Sequence, residues 1–177
     1  MVLPQLTPNG LAEVVSALPP RGFRPLRGTP THVSRLKARF ASSEAPSAAQ
    51  RNGLRYEAKV QWFLRTRLGI EYHMQVPFSF RDSDVPRLVV PDGILLRSRD
   101  VVIFEIKSQH MPEAWWQLRR LYAPVLEAWW NKPVVCCEVV KSFDPSIGFP
   151  EPVKFCRSLD EVLSSNHGDA FRVFQWR

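Results

Sequence analysis

Residues 87–107 read RLVVPDGILLRSRDVVIFEIK, two runs rich in Val, Ile, Leu and Phe separated by the polar group Arg97-Ser98-Arg99-Asp100. Apolar β-branched runs bounded by a turn signal predict two strands of a β-hairpin. With the turn centred between Ser98 and Arg99, Leu96 faces Val101, Ile94 faces Ile103 and Asp92 faces Glu105. Two carboxylates would then be direct cross-strand neighbours, an arrangement that destabilises a sheet unless something offsets the repulsion. Alternation along the second strand puts Val101, Ile103, Glu105 and Lys107 on one side, so an ammonium group stands beside the acids. A divalent cation would complete the cluster, because hard ions such as Mg²⁺ take oxygen ligands and are held by one or two carboxylates plus substrate phosphates. Taken singly, each piece has a bland reading: Glu-x-Lys as a solvated strand end, Pro-Asp-Gly as a plain turn. The shared register couples them.

In order and spacing, Pro91-Asp92, a short hairpin and Glu105-Ile106-Lys107 resemble the signature of the PD-(D/E)XK nuclease superfamily. The resemblance implies a restriction-endonuclease-like α/β fold, a central mixed sheet flanked by helices in the order αβββαβ. It implies that Asp92 and Glu105 bind Mg²⁺ or Mn²⁺, that the carbonyl of Ile106 joins the coordination, and that Lys107 orients the attacking water or stabilises developing charge. Gly53 with Tyr56-Glu57 looks like a motif of the RecB-like branch, in which a Glu on the helix before the sheet approaches the metal; the bland alternative for Glu57 is a favourable place near a helix N-terminus. In that branch the helix after the Glu-x-Lys strand carries a Gln and, four residues later, a Tyr. Gln117 fits, but Leu121 stands at the expected place and the tyrosine, Tyr122, is five residues on, which makes Gln117 the site candidate and not Tyr122.

A chain of 177 residues fits one domain with a substantial core. Its formal charge of +7 suits a polyanionic partner, and the excess is uneven: residues 1–56 carry net +6 and the remainder net +1. We therefore divide the chain into a basic, Pro-rich arm over residues 1–50 and a nuclease-like domain over 51–177. The arm reads as a solvated tail or a nucleic-acid or docking segment, with short helices expected at Leu11–Leu18 and Thr31–Ala41. No window of about 18 apolar residues and no leader pattern occurs, which predicts a soluble intracellular protein with no membrane partner. Cys136, Cys137 and Cys156 lack metal-site spacing and read as buried thiols; three cysteines also argue against the four-cysteine iron-sulfur cluster found in some of these nucleases.

The remaining elements follow from periodicity. Residues 52–69 predict an amphipathic helix with Leu54, Ala58, Trp62 and Leu68 as its main apolar stripe, widened by Val60, Phe63 and Leu64, and stopped by Gly69. Glu71–Phe80 predicts the first core strand, with Tyr72, Met74, Val76 and Phe78 on one face, and Arg81–Asp84 an exposed loop. Met111-Pro112-Glu113 starts a helix running to Trp130, which Pro124 should kink or interrupt. Its stripe is Trp115, Leu118, Tyr122, Val125 and Trp129, and Arg119 and Arg120 are candidate nucleic-acid contacts. Val134–Val140 predicts a buried strand, 142–153 a loop, Ser158 a helix cap, and Phe171–Trp176 a last strand.

The function these readings imply is Mg²⁺-dependent hydrolysis of DNA phosphodiester bonds, by resemblance leaving 5′-phosphate and 3′-hydroxyl ends. Stand-alone nucleases of this size resemble those of phages, which act in DNA processing or head completion, and that implies association with a virion as a further expectation. A reading from another class keeps the fold without the chemistry: a silent DNA-binding or assembly protein docked through residues 1–50.

Overall fold

Ser47 caps the first helix, α1 (Ala48–Leu68), by a reciprocal box: its hydroxyl accepts from the Gln50 N–H while Gln50 Oε1 accepts from the Ser47 N–H. The helix therefore begins four residues earlier than its apolar pattern suggests, and it ends on Gly69 at φ 70°. The structure, a computed structural model, describes residues 19–37, 47–144, 148–164 and 170–177. The helix expected at Leu11–Leu18 lies outside the described residues.

Among the described residues there are nine strands, in chain order β1 (Thr31–Arg35), which precedes α1, then β2 (Tyr72–Met74), β3 (Phe78–Asp82), β4 (Val85–Val89), β5 (Gly93–Leu96), β6 (Val101–Gln109), β7 (Val134–Ser142), β8 (Val153–Cys156) and β9 (Phe171–Gln175). Six of them form a mixed sheet in the order β2-β5-β6-β7-β9-β8, and β1, β3 and β4 form a small antiparallel sheet. Within the larger sheet β2, β5 and β6 are antiparallel, whereas β6, β7, β9 and β8 run parallel. Between β6 and β7 the chain crosses one face as α2 (Pro112–Gln117), a π-helical turn (Leu118–Tyr122) and α3 (Ala123–Trp130); α4 (Leu159–Leu163) lies between β8 and β9. The molecule is thus α/β, a central mixed sheet flanked by helices.

Alternation sorts the central strands between two apolar layers. Ile103 and Cys136 pack with Leu118, Tyr122, Val125 and Leu126 on the α2–α3 side; Val102, Phe104, Cys137 and Val139 pack with Tyr56, Val60 and Leu64 of α1 on the other. Burying each such large side chain stabilises the fold by roughly 1.5–3 kcal/mol. The adjacent cysteines fall on opposite faces as free buried thiols, as their spacing predicts.

Several expectations are corrected. Leu54 and Trp62 are 52% and 71% exposed, so they do not form the buried stripe of α1; Tyr56, Val60 and Leu64, also spaced by four, take that role. The segment 71–80 is two strands in two sheets, because Gln75 turns the chain at φ 45° between β2 and β3. Likewise 87–89 belongs to β4, and the hairpin proper starts at Gly93. Asp82 is no loop acid: it is buried, accepting from Arg87 Nη1 at 2.7 Å and the Arg27 N–H at 2.9 Å. The turn after it is Ser83-Asp84, both at positive φ. Thr31–Arg35 is a strand and not a helix, since β3 offers it an unpaired edge. Residues 19–37 consequently pack on the body: Leu26 and Val33 reach the core, and Arg87 donates to the carbonyls of Arg24 and Pro25. A strand that was not expected, β8, begins at the last residue of the 142–153 loop, and Trp129 is 41% exposed at the end of its stripe.

Pro124 does interrupt its helix. Proline offers no N–H and its ring would meet the carbonyl four residues back; the turn preceding it is π-helical, with the Ala123 N–H donating to the Leu118 carbonyl. The backbone widens by one residue before the ring and resumes as α3, ending on left-handed Asn131.

Candidate active site

The hairpin register is the expected one: Gly93 pairs with Phe104, Ile94 with Ile103 and Leu96 with Val101. Continued by one residue, it sets Asp92 opposite Glu105 on the face shared by Ile94 and Ile103. Two contacts tie the acids down. Asp92 Oδ2 accepts the Ile106 N–H at 2.7 Å, and Lys107 Nζ lies 2.7 Å from Glu105 Oε1. The second oxygen, Glu105 Oε2, is buried and has no hydrogen-bond partner among the described residues. The side chain of Ile106 points to the opposite, α1-facing layer.

The backbone at Asp92 is held as firmly as its side chain. Its carbonyl accepts from the Gln75 N–H at 3.0 Å and from Gln61 Nε2 at 2.7 Å. Gln61 Oε1 in turn accepts from the Tyr72 hydroxyl at 2.6 Å. Neither Gln61 nor Tyr72 is singled out by sequence motif; the readable signal is a lone Gln one residue from Val60, on the helix face that proves to be buried. Glu57, one turn earlier, accepts from Gln75 Nε2 at 2.8 Å. It lies in the third turn of α1, so an N-terminal helix-dipole role does not explain it.

Another buried pair adjoins the acids. Glu138 on β7 is in register with Glu105, and its Oε2 lies 2.6 Å from His110 Nδ1 while Oε1 accepts from the Met111 N–H at 3.2 Å. Both side chains are fully buried, and the imidazole lies tilted against Phe143 and Phe149, with ring centroids 5.1 and 4.3 Å away. A single acid inside the apolar run VVCCEVV was its signal, since a buried charge requires partners.

One lysine therefore faces an excess of carboxylates. Burial first, then Glu105, pushes the Asp92 carboxyl up to about 8, with Glu57 adding to the repulsion and the Ile106 N–H opposing it. Burial also raises Glu105, against Lys107, with Glu138 and Glu57 adding to the rise. Burial acts to lower Lys107, but Glu105, then Asp92 and Glu138, outweigh it and hold the ammonium protonated. Tyr122 is raised by burial and next by the charges of Glu105 and Asp92.

Gln117 precedes the π-helical turn and Tyr122 closes it. In an α-helix, residues five apart are rotated about 140° from each other. Bonding from i to i+5 takes up one extra residue, and Tyr122 is buried in the same core layer against which Leu121 packs. Gln117 is half-buried, and its Oε1 has no hydrogen-bond partner among the described residues. Arg119 is turned to Glu151, 2.7 Å from Nε to Oε1. Arg120 is exposed, its guanidinium 5.4 Å over the Trp115 ring. Both arginines line a cleft of about 760 Å³ with Trp116 and Pro25.

Among the described residues, no three His, Cys, Asp or Glu side chains cluster so as to hold a metal ion by themselves. The donor set is two carboxylates, one with an orphaned buried oxygen, and a neighbouring carbonyl. That suits an ion that keeps its remaining positions for water and substrate phosphate, as Mg²⁺ does. No described helix is long and apolar enough to cross a membrane.

No family model matches the chain, and no solved structure matches it at a significant level. Over 91 residues it is 30% identical to a probable beta-mannosidase of Caenorhabditis elegans, a stretch that is 51% of this chain and 9% of that protein. The chain thus spans less than a tenth of the length of the curated relative it matches.

Proposed function

We propose that this protein is a metal-dependent nuclease of the PD-(D/E)XK type that hydrolyses DNA phosphodiester bonds. The observation that carries the reading is the meeting of Asp92, Glu105 and Lys107 on one side of the hairpin, with negative charge in excess and Glu105 Oε2 buried without a partner. Asp92, Glu105 and the Ile106 carbonyl would hold Mg²⁺ or Mn²⁺, with Glu57 nearby for a second ion. Bound there, the metal would polarise the phosphoryl oxygen and lower the pKa of its water.

The chain's own groups supply the rest. Lys107 stays protonated and places a positive charge beside Glu105, where it can hold the nucleophilic water by hydrogen bond and offset charge on the phosphoryl oxygens. The Tyr72–Gln61–Asp92 relay fixes the peptide that carries the first acid, and such preorganisation keeps the carboxylate from swinging as charge develops. Gln117 and Tyr122, both on the crossing helix, would orient the scissile phosphate. Arg120, exposed, is the better phosphate contact of the arginine pair, since Arg119 is engaged with Glu151.

The test is cleavage of labelled DNA with Mg²⁺ by wild type, Lys107→Ala and Asp92→Ala. Wild type should cut and both variants should lose at least about 100-fold in rate, the scale of losing a positioned charge or proton-transfer group. Equal cleavage by all three would reject the site. Mannoside hydrolysis that disappears in the same variants would instead move the reading to glycoside chemistry.

A further inference from the structure

Helix α1 has two faces of different chemistry. The inner one buries Tyr56, Val60 and Leu64 and sets Gln61 and Glu57 beside the acids. The outer one carries Arg55, Lys59, Trp62, Arg65 and Thr66, all exposed. Lys59 and Arg65 stand one turn before and one turn after Trp62 on the same side, and the small Ala58 leaves the indole uncovered at 71% exposure. Within Ala48–Leu68 the sole acid is Glu57, which turns inward, so no i±4 carboxylate in the helix balances the outer cations. Arg51, Arg55 and Lys59 even follow one another at like-charge spacings of four, which disfavours an isolated helix. A large aromatic ring left in water between cations, on a helix stable without it, fits a surface made for an anionic, π-faced ligand.

The outer face runs into a cleft of about 580 Å³ at the C-terminal end of α1, lined by Arg35, Arg65, Ile70, Tyr72, His73 and Met74. It combines cations with uncovered apolar surface, Ile70 at 90% and Met74 at 39% exposure. Strand β2 links this cleft to the acids. Tyr72 bonds Gln61, and Met74 is followed by Gln75, which touches both the Asp92 carbonyl and Glu57.

From this we infer that the outer face of α1 and the adjoining cleft bind single-stranded nucleic acid, with Trp62 as a stacking platform and Arg55, Lys59, Arg65 and Arg35 as phosphate contacts. Cationic tracks punctuated by aromatic rings are how single strands are held without sequence choice. A duplex keeps its bases stacked inside and offers the indole nothing. That the strand then leads along β2 to the acids rests on the reading of the preceding section; the binding itself does not.

Fluorescence anisotropy with labelled oligothymidylate, in EDTA so that no cleavage occurs, tests the site on the full chain. Trp62→Ala should bind about 5- to 100-fold more weakly, the loss of one stacked base. Lys59→Ala and Arg55→Ala should each reduce the slope of log affinity against log salt by about 0.7. All three positions are exposed, and unchanged thermal unfolding would show the variants intact. Affinity unaltered in Trp62→Ala, or equal binding of a hairpin duplex with no dependence on Trp62, would overturn the proposal. Trp62-dependent binding without cleavage on adding Mg²⁺ leaves this site standing and removes the nuclease reading; cleavage with Trp62-independent binding does the reverse.

Discussion

The crowding of acids around a single ammonium group should make the metal-free protein lose stability as pH rises. Asp92 is the clearest case, its carboxyl moved from an ordinary 3.8 to about 8 by burial and by Glu105. A raised acid favours the fold while it is protonated. The stability it contributes is whole below its unfolded pKa and is lost as pH climbs through the folded value. At 1.36 kcal/mol per pKa unit, full ionisation costs on the order of 5 kcal/mol, and water reaching the half-buried rim reduces this to an expected fall of about 2–5 kcal/mol between about pH 5 and pH 9. Asp82 is lowered, despite burial, by Arg87 and the Arg27 N–H, so its contribution is present across that whole window and adds no slope. Urea unfolding in EDTA at the two pH values measures the fall directly. Asp92→Asn should abolish more than about half of it, because the carboxyl that is moved up to about 8 no longer ionises. Mg²⁺ at a hundred times its dissociation constant should return about 2.7 kcal/mol, and more effectively at the higher pH, where the ligands are ionised. Stability that is flat or rising over this range in EDTA, or Mg²⁺ protection indifferent to pH, would refute the reasoning.

Two further substitutions probe the frame around the acids. Glu138→Ala leaves His110 and the Met111 N–H without their acceptor and should destabilise the fold by about 2–4 kcal/mol; a loss under about 1 kcal/mol in urea titration would mean that water serves as well. Gly93→Ala places a methyl 2.7 Å from Tyr72 Cζ, and because Tyr72 holds Gln61 and Gln61 holds Asp92, we expect about 1–3 kcal/mol of destabilisation together with weakened Mg²⁺ protection. Unaltered Mg²⁺ protection in that variant would show that the relay does not set the acid's position.

How far the site could be read in advance differs from residue to residue. Asp92, Glu105 and Lys107 were legible because an antiparallel register propagates one residue at a time from a short turn, and parity along a strand is covalent. Glu57 was legible as a candidate by resemblance, but its neighbours were not. The apolar residues of α1 form two stripes at helical spacing, Tyr56-Val60-Leu64 and Leu54-Ala58-Trp62, and periodicity cannot say which one meets the sheet. Choosing the wrong stripe hid Gln61 as well as the exposed Trp62. The geometry between Gln117 and Tyr122 was not legible for a backbone reason: counting by fours assumes an α-helix, and the turn before Pro124 is not one.

The amino-acid order by itself determined the hairpin, the face on which its charged residues stand, the helix caps at Ser158 and Gly69, and the opposite orientations of Cys136 and Cys137. All are local, decided by φ/ψ preference and alternation within a few bonds. Only the tertiary structure decided that Glu138 meets His110, that Gln61 holds the Asp92 peptide, that residues 31–35 complete a sheet with β3, and how many carboxylates share Lys107. Those facts join segments between 15 and 50 positions apart, and they exist because burial removes the water that would otherwise have solvated each group alone.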